Sequence, residues 1–366
     1  MRTEAQRSSK RAGGFTMIEL LVGSAVMLVA VLGALFVYSR SNKVSVEQQM
    51  VSEVQNDVRS SMFFLTRDLR MAGAGLPQEF AGFFVEGWDN EDQGGDVAPD
   101  RIRFMGNLED PLNVSIQSYS GSAAVLFAED YSLEQYPYPQ EFYEQKTVLV
   151  MPNPESGCLA AEVRIITDVN SSSTGTNEVI NFSPGLAPGV DPPGGLSGTC
   201  PSSSDYIGGQ VSFIDVKEYW LDVTGARAGL TPGVNGYIGD GVGGVLYVTH
   251  NGVHLPLAGN IENFQIEYNG DMNNDLLLDG WTPFVATWGP NEVSRIQQVR
   301  IWILGRTARA FTSVGANAPD AVHIYRRPAV SNSPASLDED RRRRFLMDST
   351  SNIRNMSLNL YNINQR

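Results

Sequence analysis

The chain has 366 residues, a formal net charge of −14 at pH 7, 36 glycines, 19 prolines and two cysteines. So acidic a chain repels the phosphate backbone of nucleic acids, whose binding proteins carry basic patches, and a nucleic-acid-binding function is therefore excluded. Residues 77–366 are enough for a sizeable core and even for two lobes. Their short apolar runs between glycines and prolines predict a loop-rich, strand-dominated domain.

An apolar run near the amino terminus is the feature around which the chain is organised. Residues 15–38 contain one charge, Glu19, and no proline, and as a helix they would be about 36 Å long. That length crosses a bilayer core of roughly 30 Å. Basic residues precede the run, and positive charge there keeps that end in the cytoplasm. The sequence therefore predicts one membrane span with the amino terminus inside and the remainder of the chain outside the cytoplasm.

Two details distinguish this run from an ordinary signal peptide. A signal peptide has its small-residue cleavage site after the apolar segment, whereas here Gly13 and Gly14 come before it. A cut after Gly14 would leave the apolar helix on the mature chain, with Phe15 as its new amino terminus. Glu19 would then be the fifth residue, and a lone carboxylate in a membrane helix costs about 2.5–3.5 kcal/mol at mid-bilayer. We expect it to pair with a cation, such as a free amine on a neighbouring helix.

The segment Gly-Phe-Thr-x-Ile-Glu-Leu at this junction resembles the type IV prepilin signal. The resemblance implies that a prepilin peptidase cuts between Gly14 and Phe15 and that Phe15 is then N-methylated. It also implies that Glu19 pairs with the Phe15 amine of an adjacent subunit and sets the register of assembly. The alternative is a plain membrane anchor in which the glycines and Glu19 have no such role.

After the apolar run the chain turns polar but keeps a helical pattern. Apolar residues recur at spacings of three and four and predict a stripe on one helix face. The stripe consists of Val51, Val54, Val58, Met62, Leu65 and Leu69. Gly73, Gly75 and Pro77 are the stop signal, so one helix is predicted from about residue 15 to about residue 71. The predicted parts are a cleaved leader (1–14), a transmembrane and assembly helix (15–40), its amphipathic continuation (41–75) and an extracytoplasmic head (76–366).

Further segments resemble the PilW-type minor pilins. They are LTRDLRMAGAG at 65–75, the strand and aspartate-rich loop at 255–281, the strand at 297–307, and the tail around 341–355. The tail is also similar to the J-type pseudopilins of type II secretion. The resemblance implies an α+β fold of the type IV pilin class, a lollipop in which the long helix packs on a large antiparallel β-rich head. Arg67, Asp68 and Arg70 are predicted to form local ion pairs or to pin the helix to the head.

The head is predicted to consist of many strands. They are 101–105, 112–118, 124–128, 147–151, 162–169, 178–182, 211–223, 244–250, 261–268, 297–306 and 321–326. Residues 170–209 are rich in Ser, Gly, Pro and Thr and are interpreted as a surface excursion, whereas 89–100 is an acidic loop. Cys158 and Cys200 lie outside the cytoplasm, which favours a disulfide that tethers 158–200, with two free thiols as the alternative.

The sequence offers little support for catalysis. His250, His254 and His323 are the only histidines, and no serine-nucleophile elbow, phosphate loop or zinc-protease motif is present. The chain is therefore predicted not to be an enzyme. The basic run 341–344 is interpreted as a solvated face or as an internal partner of acidic loops.

One loop is a candidate ion site. Asp271, Asn273, Asp275 and Asp279 place oxygen side chains at alternate positions, an arrangement that suits calcium. The match to an EF-hand loop is imperfect, because Leu276 stands at the sixth position and Thr282 at the twelfth. Calcium and a simple polar turn both remain open at this point.

The resemblance implies a minor pilin that primes type IV pilus assembly at the inner membrane and then sits at or near the pilus tip, with roles in adhesion and twitching motility. Its implied partners are other minor pilins, the major pilin, the prepilin peptidase and methylase, the inner-membrane assembly platform and a tip adhesin. The head would lie in the periplasm before assembly and on the cell surface afterwards. The alternatives are a type II secretion pseudopilin and an adhesin-like module in which the 170–209 excursion binds a partner.

Overall fold

A computed structural model describes most of the chain. The described residues are 14–76, 82, 84–89, 98–108, 113–120, 123–126, 146–158, 161–171, 178–182, 200, 202–223, 244–275, 277–310, 325–335 and 339–353. The chain divides into two compact units, Met1–Ser52 and Glu53–Arg366.

Helices and strands within the described residues are numbered in chain order. The helices are α1 (Met17–Arg70) and α2 (Pro290–Val293). The strands are β1 (Val85–Trp88), β2 (Arg101–Gly106), β3 (Asn113–Ser120), β4 (Ala123–Leu126), β5 (Thr147–Met151), β6 (Glu162–Ser171), β7 (Glu178–Phe182), β8 (Gln210–Phe213), β9 (Asp215–Asp222), β10 (Gly244–His250), β11 (Val253–Gly270), β12 (Ile296–Arg306), β13 (Tyr325–Arg326), β14 (Glu339–Asp340) and β15 (Arg344–Asn352).

The first unit contains the apolar half of α1. Its large apolar side chains between Met17 and Tyr38 are exposed, and Leu28 is 63% exposed. Among the described helices, α1 is the one long and apolar enough to cross a membrane. An apolar surface of this kind is compatible with a membrane anchor.

In the second unit the remainder of α1 packs on a seven-stranded antiparallel sheet. The strand order is β1-β2-β9-β10-β11-β12-β15. The stripe residues Val54, Val58, Met62, Leu65 and Leu69 are buried in the main core, as predicted. On the strands, alternation sends Ile301 and Ile303 into the same core. The predicted fold class, a long amino-terminal helix with an antiparallel β-rich head, is confirmed.

Glycines fit the helix to the sheet at two points. A Cβ added to Gly305 of β12 would lie 2.7 Å from Val58 and 2.8 Å from Val54, so glycine allows α1 to lie close to the strand. After α1 ends, Gly73 has a φ of +73° and its N–H donates to the carbonyl of Met105. A residue with a Cβ rarely adopts that conformation, so the helix ends where the sequence predicted.

A six-stranded closed barrel is inserted between two neighbouring strands of this sheet. Its order is β3-β4-β7-β6-β5-β8, and β3 closes on β8. The chain leaves the sheet after Gly106 and rejoins it at Asp215, and these two residues are register partners in the β2–β9 pair. The barrel has its own apolar core, and its β5 is buried on both faces: Val148 and Val150 line the barrel core while Leu149 and Met151 join the main core.

Several expectations are corrected by these elements. The predicted strand 211–223 is two strands separated at Ile214, because the first belongs to the barrel and the second to the sheet. The predicted 261–268 is the second half of the much longer β11, and β1 was missed. The interpretation of 170–209 as a surface excursion is wrong for β7, which is a barrel strand, and for Tyr206, which lies in the barrel core, whereas residues 202–204 are exposed.

Candidate functional site

The amino end of α1 is the candidate assembly site. The helix begins at Met17, so Gly14 and Phe15 precede it, and Phe15 is 88% exposed. An added Cβ at Gly14 would meet nothing within 4 Å, so the folded chain itself does not require glycine there. The leader residues 1–13 lie outside the described residues.

Thr16 and Glu19 form a reciprocal hydrogen-bonded cap at the start of α1. The backbone N–H and the hydroxyl of Thr16 both donate to Glu19 Oε2, each at 2.9 Å. The backbone N–H of Glu19 donates to Thr16 Oγ1 at 3.3 Å. This is the geometry of a capping box, and it satisfies N–H groups that the first turn of a helix leaves without partners. It also holds the Glu19 carboxylate at the amino end of the helix, beside Phe15.

Asp68 is the buried charge at the other end of α1. Its side chain is 3% exposed, and it accepts hydrogen bonds from Lys217 Nζ at 2.8 Å and the Tyr219 hydroxyl at 2.9 Å. Arg67 donates to its other oxygen at 2.9 Å. Burial raises the pKa of Tyr219, and the neighbouring Asp68 charge raises it further. Within this unit Asp68 therefore fastens the helix to β9, so the predicted pinning and the Arg67–Asp68 ion pair are both present.

The face of the sheet opposite α1 carries a second charged cluster. Glu218 on β9 pairs with Arg101 at 3.0 Å and with Arg103 at 2.7 Å, and the Arg101 guanidinium lies 3.6 Å from the centre of the Trp88 ring. Burial alone would raise the pKa of Glu218, but the two guanidinium groups outweigh it and hold that pKa below its usual value. The cluster joins the three strands β1, β2 and β9.

The two cysteines form the disulfide that the sequence predicted. Cys158 and Cys200 form a disulfide with a Cα–Cα distance of 5.9 Å, and both pack against the barrel core. The loop that they close contains β6 and β7. The disulfide is therefore a brace of the barrel itself.

The aspartate-rich loop is organised by its own hydrogen bonds. Asp279 Oδ2 accepts the backbone N–H groups of Met272 and Asn273, at 2.6 and 3.1 Å. The side-chain amide of Asn273 donates to Asp279 at 2.7 Å and to Asp275 at 3.2 Å, while its oxygen accepts the Asp275 N–H. An amide nitrogen thus bridges the Asp275 and Asp279 carboxylates.

Asp271, the fourth predicted ligand of this loop, also takes part in a hydrogen bond within it. Asp271 is fully buried and its Oδ1 accepts the N–H of Asp275 at 2.9 Å. In the described part of the chain no group of three or more His, Cys, Asp or Glu side chains is arranged to hold a metal ion. The hydrogen bonding favours the polar-turn alternative, and calcium at this loop stays a prediction.

The remaining sequence candidates have structural partners. His250 Nε2 lies 3.0 Å from Asp215, and His254 Nδ1 lies 2.8 Å from the Thr249 hydroxyl. Arg344, the last residue of the basic run 341–344, pairs with Glu262 at 2.6 Å and with Asp340 at 2.8 Å, which is the predicted internal role. His323 lies outside the described residues.

Sequence reasoning foresaw the contacts of Asp68 but missed a second buried polar group. Glu162 and Arg164 form a buried ion pair inside the barrel, and the rings of Tyr119 and Tyr206 pack nearby at a tilt of 36°, with ring centres 4.6 Å apart. No local signal indicates that pair, because alternation alone does not tell which face of β6 is interior.

Comparison with known proteins adds a structural likeness. No family model matches the chain, and no curated protein matches it. Among solved structures the chain is similar to a type IV-like pilin from Thermus thermophilus, with 13% identity, a TM-score of 0.23, and coverage of 58% of this chain and 85% of that chain. So low a TM-score carries no argument, and the class is defined by the chain's own elements. A long apolar amino-terminal helix followed by an antiparallel β-rich head fits a pilin, which is a structural class of protein.

Proposed function

We propose that the chain is a minor type IV pilin of PilW type, which primes pilus assembly and sits at or near the pilus tip. The supporting observation is the amino end of α1, where an exposed apolar segment carries one carboxylate, Glu19, held by hydrogen bonds from Thr16, the residue after Phe15. Cleavage after Gly14 would create an amine at Phe15, and N-methylation of Phe15 would follow. Between subunits, that amine is the natural partner for Glu19.

The proposal places the subunit in the inner membrane before assembly, with its head in the periplasm, and at the cell surface afterwards. A bulky head with an inserted barrel is hard to repeat along a packed shaft, which favours the tip. The partners are the other minor pilins, the major pilin, the assembly platform and a tip adhesin. A type II secretion pseudopilin is the alternative with the same architecture, and neighbouring genes separate the two: a retraction ATPase for a pilus, or a secretin-linked operon for secretion.

A second candidate function is supported by the barrel. A closed six-stranded barrel with its own core and disulfide is more than an assembly subunit needs for its helix and sheet. It suits an adhesin-like binding module that the pilin part displays. The test is surface binding by cells that carry wild-type pili against cells whose pili contain the subunit with both cysteines replaced.

The cleavage step has a direct test. Gly14→Val should block removal of the leader, because a peptidase cleft that admits only hydrogen at that carbon excludes a side chain. Gly13→Ala is the matched control and should be processed. Electrophoretic mobility with and without the cognate peptidase gives the answer, and normal loss of the leader from Gly14→Val contradicts the proposal.

Glu19 provides the assembly test. Glu19→Ala should leave insertion and cleavage intact but reduce co-purification with the other minor pilins and lower pilus yield, since the neighbour's amine would lose its buried partner. Ser24→Ala is the control, because the Ser24 hydroxyl donates to the Leu21 carbonyl of its own helix. Normal piliation with Glu19→Ala would show that the carboxylate does not set the register.

A further inference from the structure

The loop that follows β11 exposes a cluster of large apolar side chains. The exposed fractions are 69% for Leu277, 46% for Leu278, 36% for Trp281 and 38% for Val285. Scattered exposed leucines are ordinary on protein surfaces, but four large apolar side chains within nine residues form a patch. We name these four residues the leucine patch.

The base of this loop is fixed without help from the leucine patch. Thr282 exchanges two backbone hydrogen bonds with Tyr268 of β11, at 2.8 and 3.0 Å, and the Asp279 N–H donates to the Gly270 carbonyl at 3.0 Å. The Arg295 guanidinium donates to the carbonyl of Met272 at 2.9 Å. These contacts stand in addition to those that Asp279 and Asp275 make within the loop. The patch is therefore presented on a preorganised support, which lowers the entropy cost of binding.

The loop sorts its apolar residues between two faces. Phe284 and Trp288 point inward, where they pack edge-to-face on Tyr268 and on each other with ring centres 5.2–6.3 Å apart. Leu277 and Leu278 point outward into solvent. Since the inward aromatic residues already anchor the loop to the main core, the leucines add nothing to the fold of this subunit. Burial of these leucines would therefore require another molecule.

The charges around the leucine patch indicate which kind of molecule could bind there. Asp275 and Asp279 are exposed beside the leucines, and the neighbouring Arg300, whose guanidinium lies 6.0 Å from the Trp281 ring, is paired with Asp348 at 3.2 Å. An anionic lipid surface would repel these carboxylates. A second copy of a chain with net charge −14 would set like charges against each other. A basic rim on a different protein would complement them.

We propose that the leucine patch is a docking site for a different protein, which offers an apolar pocket rimmed by lysine or arginine. Leu277 and Leu278 enter the pocket and Asp275 faces the basic rim. Trp281, a residue type enriched at the energetic centres of interfaces, lies against the pocket wall. This inference goes beyond the proposed function, because it holds equally for a pilus and for a secretion pseudopilus.

The test is photocrosslinking of the full-length chain in its native membrane. A photoreactive benzoylphenylalanine replaces Leu277 in one strain and Val253, a matched position that is 61% exposed, in another. The expected result is an adduct to one other protein from position 277 alone. Peptide sequencing of the adduct should find an apolar segment next to lysine or arginine, and about tenfold higher salt should lower the yield.

Substitutions then distinguish a loss of docking from a loss of folding. With the photoreactive group at position 277, Leu278→Ser should lower the adduct yield about tenfold, as loss of a buried apolar anchor does, whereas Leu255→Ser, at 49% exposure, should not. Both variants should keep the melting temperature of the parent. An adduct to this same chain, an adduct to lipid, an acidic crosslinked peptide, a yield indifferent to Leu278→Ser, or no adduct at all would each overturn the proposal. Failure of Gly14 or Glu19 variants to affect assembly would leave this result untouched.

Discussion

A buried carboxylate, Asp68, makes a charged contact between α1 and the sheet of the second unit. Its partners Lys217 and Tyr219 are side chains on the same face of β9, two residues apart. A buried ion pair contributes little net stability compared with an apolar pair, but removal of one member leaves the other charge buried without compensation. The carboxylate therefore fixes where the helix lies on the sheet more than it stabilises the fold.

Asp68→Asn should destabilise the protein by about 3 kcal/mol, because Lys217 would remain partly buried without its counter-charge. Arg67→Ala is the control, since the Arg67 side chain is 51% exposed and a pair of that kind is worth about 1 kcal/mol or less. Chemical denaturation of both variants measures the difference. Equal losses in the two variants would contradict a special role for Asp68.

Glu218 makes part of the stability depend on pH. Its pKa is lowered from 4.5 in the folded chain, so the unfolded chain binds a proton more readily. The stabilisation is therefore fully present above the unfolded pKa of about 4.5 and is lost as pH falls through the lower folded pKa. Glu218→Gln should reduce the loss of unfolding free energy between about pH 6 and about pH 3. If Glu218→Gln loses as much unfolding free energy at low pH as the parent chain, the acid sensitivity comes from other carboxylates. Asp215 and Asp340, whose pKa values are also lowered, would then be its source.

At the scale of elements, the close contact between α1 and β12 depends on Gly305 having no side chain. Gly305→Ala would place a Cβ 2.7 Å from Val58, which forces the helix or the strand to shift. We expect a loss of about 1–3 kcal/mol, typical of overpacking a core. Gly252→Ala is unsuitable as a control because its φ is positive, whereas Gly33→Ala has open space and should not change the melting temperature. An unchanged melting temperature in Gly305→Ala would contradict the close approach.

From the hydrogen bonds of the aspartate-rich loop, we expect that removing calcium does not change the stability of the wild-type chain. Because the Asn273 amide already bridges Asp275 and Asp279, a chelator should leave the melting temperature at pH 7 unchanged. Asn273→Asp is the informative variant, since it replaces the bridging donor with a fourth carboxylate, and calcium should then raise the melting temperature by mass action. A chelator-induced drop in the wild-type chain would restore the calcium site.

The helix and most strands of the second unit could be predicted, because their signals are local. Apolar spacing of three and four found the stripe from Val54 to Leu69, and alternation found the core of β12. β1 has only four residues, too few for a pattern. The half of β11 before Asn260 was missed because it carries exposed residues such as Val253 and Leu255, which pair with β10 but line no core.

At the scale of the whole molecule, the disulfide and the barrel belong together. Replacement of both cysteines, Cys158→Ser with Cys200→Ser, should destabilise the barrel by roughly 4 kcal/mol in the chain-entropy model, since the closed loop spans 42 positions. Melting with and without reductant measures it, and the variant should no longer respond to the reductant. A wild-type melting temperature that is indifferent to reductant would contradict the bracing role.

The barrel could not be predicted from the sequence for a physical reason. Its closure depends on β3 pairing with β8, for example Val114 with Val211, and a contact between residues so far apart leaves no trace in local periodicity. The Ser- and Gly-rich composition of 170–209 indicated a loop, although β7 lies within it. The amino-terminal candidate site stays a prediction, and it could be proposed from the sequence for the opposite reason: Gly14, Phe15 and Glu19 lie within six residues, and their proposed chemistry needs no distant partner within the chain.

The insertion point of the barrel has a mechanical consequence. Gly106 and Asp215 are neighbours in the sheet, so the barrel is a side branch rather than a link in series. Tension that enters the second unit through α1 crosses from β2 to β9 by hydrogen bonds between paired strands. The backbone pulls on the barrel only after the pairs from Arg101–Trp220 to Gly106–Asp215 have separated. A subunit under load can therefore separate these strand pairs before its backbone transmits tension to the barrel.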